Sequence, residues 1–289
     1  MRITIAFSVC AAALVSAMLG MAPARAQGLA WLGGDTVQVA ARRTGLSGSP
    51  SGEPLLGYLA RPDMPGRHPA VVVLHDCSGF GIYYPVIADV LKSYGYVALA
   101  IDSLGRFNAC LRVGQGAAAE ALDGYRALGW LSRQNYVDPG RIAVLGFSMG
   151  GIATLDSVEA GPIEKSHSPH FRSAVAYYPC TPHRGGVMSV PTLILVGDKD
   201  DWTLASWCRE MIARRNGEGA PVTLIVYSGA THVFNFAYPT REYLGHHLAY
   251  NPQATADAWR QVRNFLQTTL GGSRPTLDKR PSRSTAETP

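Results

Sequence analysis

Long apolar runs are absent from most of this 289-residue chain. Beyond residue 21 no stretch approaches the roughly 18 apolar residues that a membrane-spanning helix requires. Also missing are a phosphate-cradling G-x-x-x-x-G-K-[ST] and a G-x-G-x-x-G after a strand, so nucleotide cofactors have no signature here. Charge is sparse, at 16% of residues, and no basic stripe interleaves with aromatics, which excludes nucleic acid as a partner. The close-set histidines His167 and His170, and His246 and His247, have no matching cysteine or acid cluster, so no metal and no cofactor is expected. With 47% hydrophobic residues the chain has ample material for a core, and disorder is excluded as an overall description.

The formal net charge of +5 belongs mostly to the ends. Residues 1–26 start with Arg2, continue through an apolar stretch from Ile3 to Met21 and finish at Ala24-Arg25-Ala26. That is the pattern of a secretory signal peptide cleaved after Ala26, which predicts a periplasmic or secreted protein with no stable membrane insertion. Residues 271–289 are rich in Pro, Ser, Thr and charge, too polar to offset their ordering entropy, and read as a disordered tail. Without these ends, residues 27–270 keep 20 basic and 19 acidic side chains, close to neutral.

Four cysteines remain after the leader: Cys77, Cys110, Cys180 and Cys208. An exported chain meets an oxidising compartment, so they are disulfide candidates. Three pairings are possible and sequence alone does not choose among them. Cys77 and Cys110 follow successive strands, and Cys180 and Cys208 flank the next strand, which favours 77–110 and 180–208.

The interior alternates short aliphatic runs with helical spacing. Strands are predicted at Leu55–Ala60, Ala70–Leu74, Tyr96–Ile101, Arg141–Leu145, Ser173–Tyr178, Thr192–Val196 and Val222–Tyr227. Helices are predicted at Val86–Tyr94, Gly116–Gln134, Met149–Glu159, Leu204–Arg215 and Thr255–Leu270, with a turn at Asp138-Pro139-Gly140. Such alternation builds an α/β fold, a mostly parallel, doubly wound sheet flanked by helices, here as a single domain over 27–270.

The chemistry concentrates at strand ends. Gly146-Phe147-Ser148-Met149-Gly150 is a G-x-S-x-G elbow between a strand and a helix, in which Gly146 and Gly150 permit the tight turn and Ser148 sits at the tip. A serine hydroxyl needs a base to become a nucleophile. Past later strands come Gly197-Asp198-Lys199-Asp200-Asp201, with three carboxylates, and Gly229-Ala230-Thr231-His232. The chain order Ser, Asp, His is that of a triad on such a fold, with His232 as base and an aspartate holding its tautomer.

From about Leu55 to Leu270 the chain resembles the dienelactone hydrolase family of α/β-hydrolases. Val71–Gly79, Ala100–Arg106, Gly146–Gly151, Gly197–Asp200 and Gly229–Phe234 carry the likeness, in the family's order. The resemblance implies the α/β-hydrolase fold and Asp200 as triad acid, with Asp201 the alternative. It implies an oxyanion hole from the backbone N–H groups of Cys77 and Met149. It also implies Asp76 as a carboxylate near the nucleophile and Arg106 as a contact for an anionic substrate group. One departure is notable: members that open dienelactones carry cysteine at the elbow, where this chain has Ser148. The expectation is therefore a monomeric, exported serine hydrolase of small-molecule esters, lactones or thioesters. The alternatives are a non-catalytic binding protein on the same fold, or a peptidase or polymer esterase. Loop regions 161–172 and 233–250, with Tyr238, Tyr243 and Tyr250, are placed where they could wall a pocket but are read as covering loops.

Overall fold

The structure, a computed structural model, describes residues 35–39, 55–103 and 109–271. The leader at 1–26, Arg106 and the tail beyond Gly271 lie outside the described residues.

Among the described residues eight strands form one sheet: β1 (Asp35–Val39), β2 (Leu55–Ala60), β3 (His68–Leu74), β4 (Val97–Asp102), β5 (Val137–Phe147), β6 (Ser173–Tyr177), β7 (Thr192–Gly197) and β8 (Val222–Tyr227). Their spatial order is β1-β2-β4-β3-β5-β6-β7-β8. β1 and β2 pair antiparallel, β2 joins β4 antiparallel, and every pairing from β4 to β8 is parallel. This is the mostly parallel α/β-hydrolase sheet that the sequence predicts. Around it lie α1 (Tyr83–Ser93), α2 (Val113–Leu131), α3 (Met149–Val158), the single turn α4 (Pro162–Lys165), α5 (Ala205–Arg214) and α6 (Pro252–Leu270). A separate hairpin pairs β9 (Arg241–Tyr243) with β10 (His246–Leu248).

The central strands are aliphatic because both of their faces are covered. Every residue of β3, β6 and β7 is buried, as parallel strands between two helical layers must be. The last helix shows the local logic of a covering element. Asn251 accepts the Ala254 N–H at 3.0 Å as N-cap and Pro252 occupies the first turn, where no intrahelical N–H is needed. Ala254, Ala258, Val262, Leu266 and Leu270 recur every four residues and form its buried stripe.

The Asp138-Pro139-Gly140 turn is absorbed into β5. Register with β3 jumps from His68–Val137 to Ala70–Ile142, so the extra residues make a bulge at the start of the strand rather than a separate loop. Both disulfides form as the strand positions favoured, Cys77–Cys110 and Cys180–Cys208. They close separations of 33 and 28 residues, and by loop entropy each contributes about 3–4 kcal/mol.

The parallel strands deliver their loops to one end of the sheet. The segments after β3, β5, β7 and β8 carry His75–Gly79, Ser148, Asp200 and His232, as open α/β sheets place their sites beyond the strands' carboxyl ends.

Candidate active site

β5 ends at Phe147 and α3 begins at Met149, so Ser148 alone makes the turn, with φ 52° and ψ −114°. A left-handed φ costs a side-chain-bearing residue about 1–3 kcal/mol and persists only where neighbours impose it. Here the Ser148 N–H donates to the Tyr177 carbonyl at 3.0 Å, and the Ser148 carbonyl accepts the Ile152 N–H at 2.8 Å. The two glycines are required by different neighbours. A Cβ on Gly146 would stand 2.0 Å from the Gly150 carbonyl oxygen, whereas one on Gly150 would stand 2.4 Å from the carbonyl oxygen of His75. The elbow therefore packs directly against the end of β3.

Ser148 Oγ donates to His232 Nε2 at 2.8 Å, and His232 Nδ1–H donates to Asp200 Oδ2 at 2.8 Å. All three side chains are buried. Asp200 Oδ1 accepts the N–H groups of Trp202 at 2.9 Å and Thr203 at 2.8 Å, which aims Oδ2 at the histidine. The geometry fits a Ser-His-Asp triad and separates the two candidate acids. Asp201 is exposed; it lies 3.3 Å from His246 Nδ1 and accepts the His247 N–H at 3.1 Å. Asp198 accepts the Gly229 N–H at 2.7 Å, a link between two loops.

Sequence reasoning missed the groups that hold the histidine. Its ring packs against Tyr178, centroids 4.6 Å apart, and Trp202, 5.1 Å apart. Thr203 Oγ1 stands 3.0 Å from Asp200 Oδ2, 3.2 Å from His232 Nδ1 and 2.9 Å from the Tyr178 carbonyl. The only sequence signal for Thr203 is its place three residues after an Asp, where a turn brings side chain and backbone together.

The loop after β3 lies beside the elbow. The Cys77 N–H donates to no described residue, and the Met149 N–H, first in α3, has no intrahelical acceptor. Asp76 lines the same cavity as Ser148, but its Oδ1 also accepts the Ser78 N–H at 2.8 Å and the Ser78 hydroxyl, so it shapes the turn as well. Beneath this loop sits Glu120 of α2, fully buried, whose Oε1 accepts the His75 N–H at 2.8 Å. Burial pushes its carboxyl well above the usual glutamate range, and the neighbouring Asp123, Asp76 and Asp102 push the same way. Above about pH 4.5 the unfolded chain loses this proton while the fold retains it, so stability declines as pH rises, until the folded carboxyl ionises. Glu120→Gln keeps an acceptor for His75 but does not titrate. Its thermal stability relative to the native chain is expected to improve from pH 5 to pH 8, by at most about 1.4 kcal/mol per pH unit. A difference that stays constant across that range would contradict a protonated Glu120.

The triad opens into a cavity of about 140 Å³ lined by Asp76, Cys77, Ser78, Cys110, Ser148, Trp202, His232, Val233, Tyr238, Arg241, Tyr243 and Leu248. Region 233–250 thus forms a wall of the site, which corrects its reading as a covering loop. The β9–β10 hairpin folds over the triad because Leu248 bridges His232 and because Trp202 stacks on His246, centroids 4.3 Å apart. Residues 161–172 and Tyr250 do not line this cavity. Arg241 lies over the rings of Tyr238 at 4.8 Å and Tyr243 at 5.5 Å, with no described carboxylate against it. No sequence motif marks Arg241. His167 stacks on Tyr125 and His247 pairs with Glu242, and among the described residues no group of His, Cys, Asp and Glu could hold a metal ion.

A model of the dienelactone hydrolase family matches residues 55–270. The chain belongs to that family. Membership makes it a carboxylic ester hydrolase. A Bradyrhizobium protein named "Probable 2-oxo-3-(5-oxofuran-2-ylidene)propanoate lactonase" is 29% identical over 244 residues, 78% of this chain and 93% of that one. Two solved structures share the fold. Esterase 2 of Thermogutta terrifontis matches with a TM-score of 0.62 at 16% identity, over 84% of this chain and 95% of that one. A dienelactone hydrolase-like promiscuous phosphotriesterase from metagenomic libraries matches with a TM-score of 0.64 at 19% identity, over 82% and 98%.

Proposed function

We propose that this dienelactone hydrolase-family protein is an exported serine hydrolase that cleaves small esters or lactones bearing an anionic group, through an acyl-enzyme on Ser148. The observation that carries the reading is the unbroken hydrogen-bonded line from Ser148 Oγ to His232 to Asp200, ending in a small cavity. In the first half-reaction Ser148 Oγ attacks the acyl carbon as its proton passes to His232 Nε2. Asp200 stabilises the imidazolium, which then protonates the departing alkoxide. The Cys77 and Met149 N–H groups receive the oxyanion. Water, deprotonated by His232, releases the acid in the second half-reaction. Export rests on the leader pattern and agrees with two disulfides and with the absence, among the described residues, of any helix able to cross a membrane.

Small substrates follow from the volume of the cavity, and the anionic group follows from Arg241. A guanidinium pinned by two tyrosines on the cavity wall offers its donor fork to a carboxylate. Arg241→Gln is expected to raise KM for a carboxylate-bearing lactone about 10- to 100-fold while leaving KM for a neutral acetate ester within about twofold. An equal change for both substrates would remove Arg241 from substrate recognition.

The reading is tested with short-chain, long-chain, aryl and lactone esters and a peptide, using Ser148→Ala as the blank. Turnover of small esters or lactones above the blank is expected. Cleavage of the peptide with esters no better than the blank would favour a peptidase, and no turnover of any substrate would favour a binding protein.

A further inference from the structure

The loop that presents the Cys77 N–H is fastened residue by residue. His75 is held by Glu120, the Asp76 N–H donates to Tyr84 Oη at 2.7 Å, and the Gly79 N–H returns to the Asp76 carbonyl at 3.1 Å. Two further ties reach Cys77 from outside the loop. Its carbonyl accepts the Ala109 N–H at 3.0 Å, and its side chain is bonded to Cys110. Both fixings come from residues 109–110, just ahead of α2. The Cys77 N–H lies in the Asp76–Cys77 peptide, whose carbonyl accepts the Gly79 N–H and, at 2.7 Å, the His75 Nδ1–H, so the loop itself sets the tilt of that plane. The disulfide and the Ala109 bond anchor its other end, at Cys77, to residues 109–110.

We propose that Cys110, through its disulfide with Cys77, is a positioning residue for the oxyanion hole, so that turnover requires this pair to be oxidised. The proposal rests on the reading of Ser148 and the Cys77 N–H given above. An oxyanion donor is effective only within about 2.7–3.1 Å of the developing charge, so loosening it lowers kcat without weakening ground-state binding. Both cysteines line the catalytic cavity, which gives a small reductant a route to the bond. A dithiol would open it by thiol–disulfide exchange. One thiolate of the reagent attacks a protein sulfur and releases the other cysteine as thiolate. The second reagent thiol then displaces the first cysteine, leaving two protein thiols and a cyclic disulfide of the reagent. The pair gains two electrons and two protons, both from the dithiol.

The test compares Cys77→Ala/Cys110→Ala with the native enzyme on a short-chain ester, well below the unfolding temperature of each. Alanine keeps the backbone N–H at position 77, so only the tie is lost. The expected result is a kcat lowered about 10- to 100-fold with KM within about threefold. Cys180→Ala/Cys208→Ala, which removes a loop closure of similar length that does not line the catalytic cavity, supplies the comparison for stability. In that second background dithiothreitol is expected to lower kcat to the same extent, and oxidised glutathione to restore it. If Cys77→Ala/Cys110→Ala fails to fold, this reductant arm decides. Native kcat in the folded double variant, or in the reduced enzyme with two thiols demonstrated at 77 and 110, would overturn the proposal. Ser148→Ala assayed in parallel keeps the two readings apart. If it is inactive while the disulfide variants turn over normally, the positioning role alone fails; if it is fully active, the Ser148 reading fails and the proposal with it.

Discussion

Ser148→Ala is expected to lower kcat/KM on a short-chain ester by roughly 10⁵-fold. The size follows from the role proposed for the side chain: its Oγ would bond to the acyl carbon, and no other described hydroxyl both lines the cavity and touches His232 Nε2. Ser78 also lines the cavity, but its hydroxyl is bound to Asp76 and has no histidine against it. What remains should resemble catalysis by the oxyanion donors alone, with water in place of the nucleophile. Stability should change little. The elbow is held by its backbone hydrogen bonds and by close packing on Gly146 and Gly150, and alanine preserves both. A variant that keeps its unfolding temperature and loses turnover separates chemistry from folding, and kinetics with differential scanning fluorimetry supply both readings.

Asp200→Asn is expected to cost about 10⁴-fold in kcat, and Asp201→Asn no more than about twofold. Two backbone N–H groups fix Oδ1 of Asp200, so the other arm must face His232. In the asparagine variant the fixed arm keeps the oxygen and the free arm becomes an NH₂. That group presents hydrogens to Nδ1, which forces the imidazole proton onto Nε2. A histidine with Nε2–H cannot accept the proton of Ser148. The ring stays in place, packed by Tyr178 and Trp202, so the loss should appear as a wrong tautomer rather than a displaced side chain. Asp201 is itself exposed, and its partners, the half-buried His246 and the His247 N–H, lie near the turn of the hairpin. A large loss in the Asp201 variant with a small one at Asp200 would reverse the assignment.

How much of this was legible in the sequence depends on distance along the chain. The central strands declare themselves because burial on both faces demands unbroken aliphatic runs such as Ala70–Leu74. The elbow declares itself because Gly146 and Gly150 meet backbone atoms that tolerate no side chain. His232 follows from its place just past the end of a strand, whereas position leaves three carboxylates after β7; Asp200 comes from the family resemblance, with Asp201 as the alternative until the loop geometry is seen. Other features depend on contacts between segments far apart. Glu120 reads as a surface charge on a helix until α2 is docked against His75, and Tyr178 reads as the last residue of a strand until its ring meets His232. Arg241 gains meaning only when the hairpin carries it over the cavity between two tyrosines. The Asp138-Pro139-Gly140 signal was locally sound, but a turn and a bulge use the same residues, and pairing with β3 decides between them.

The most direct measurement is labelling of the intact protein with a fluorophosphonate, followed by mass mapping of the modified peptide. One adduct per chain, on Ser148, with none on Ser148→Ala and slow labelling of Asp200→Asn, is the predicted result. An unlabelled native protein that hydrolyses esters, or equal labelling of Ser148→Ala, would contradict a nucleophile at the elbow.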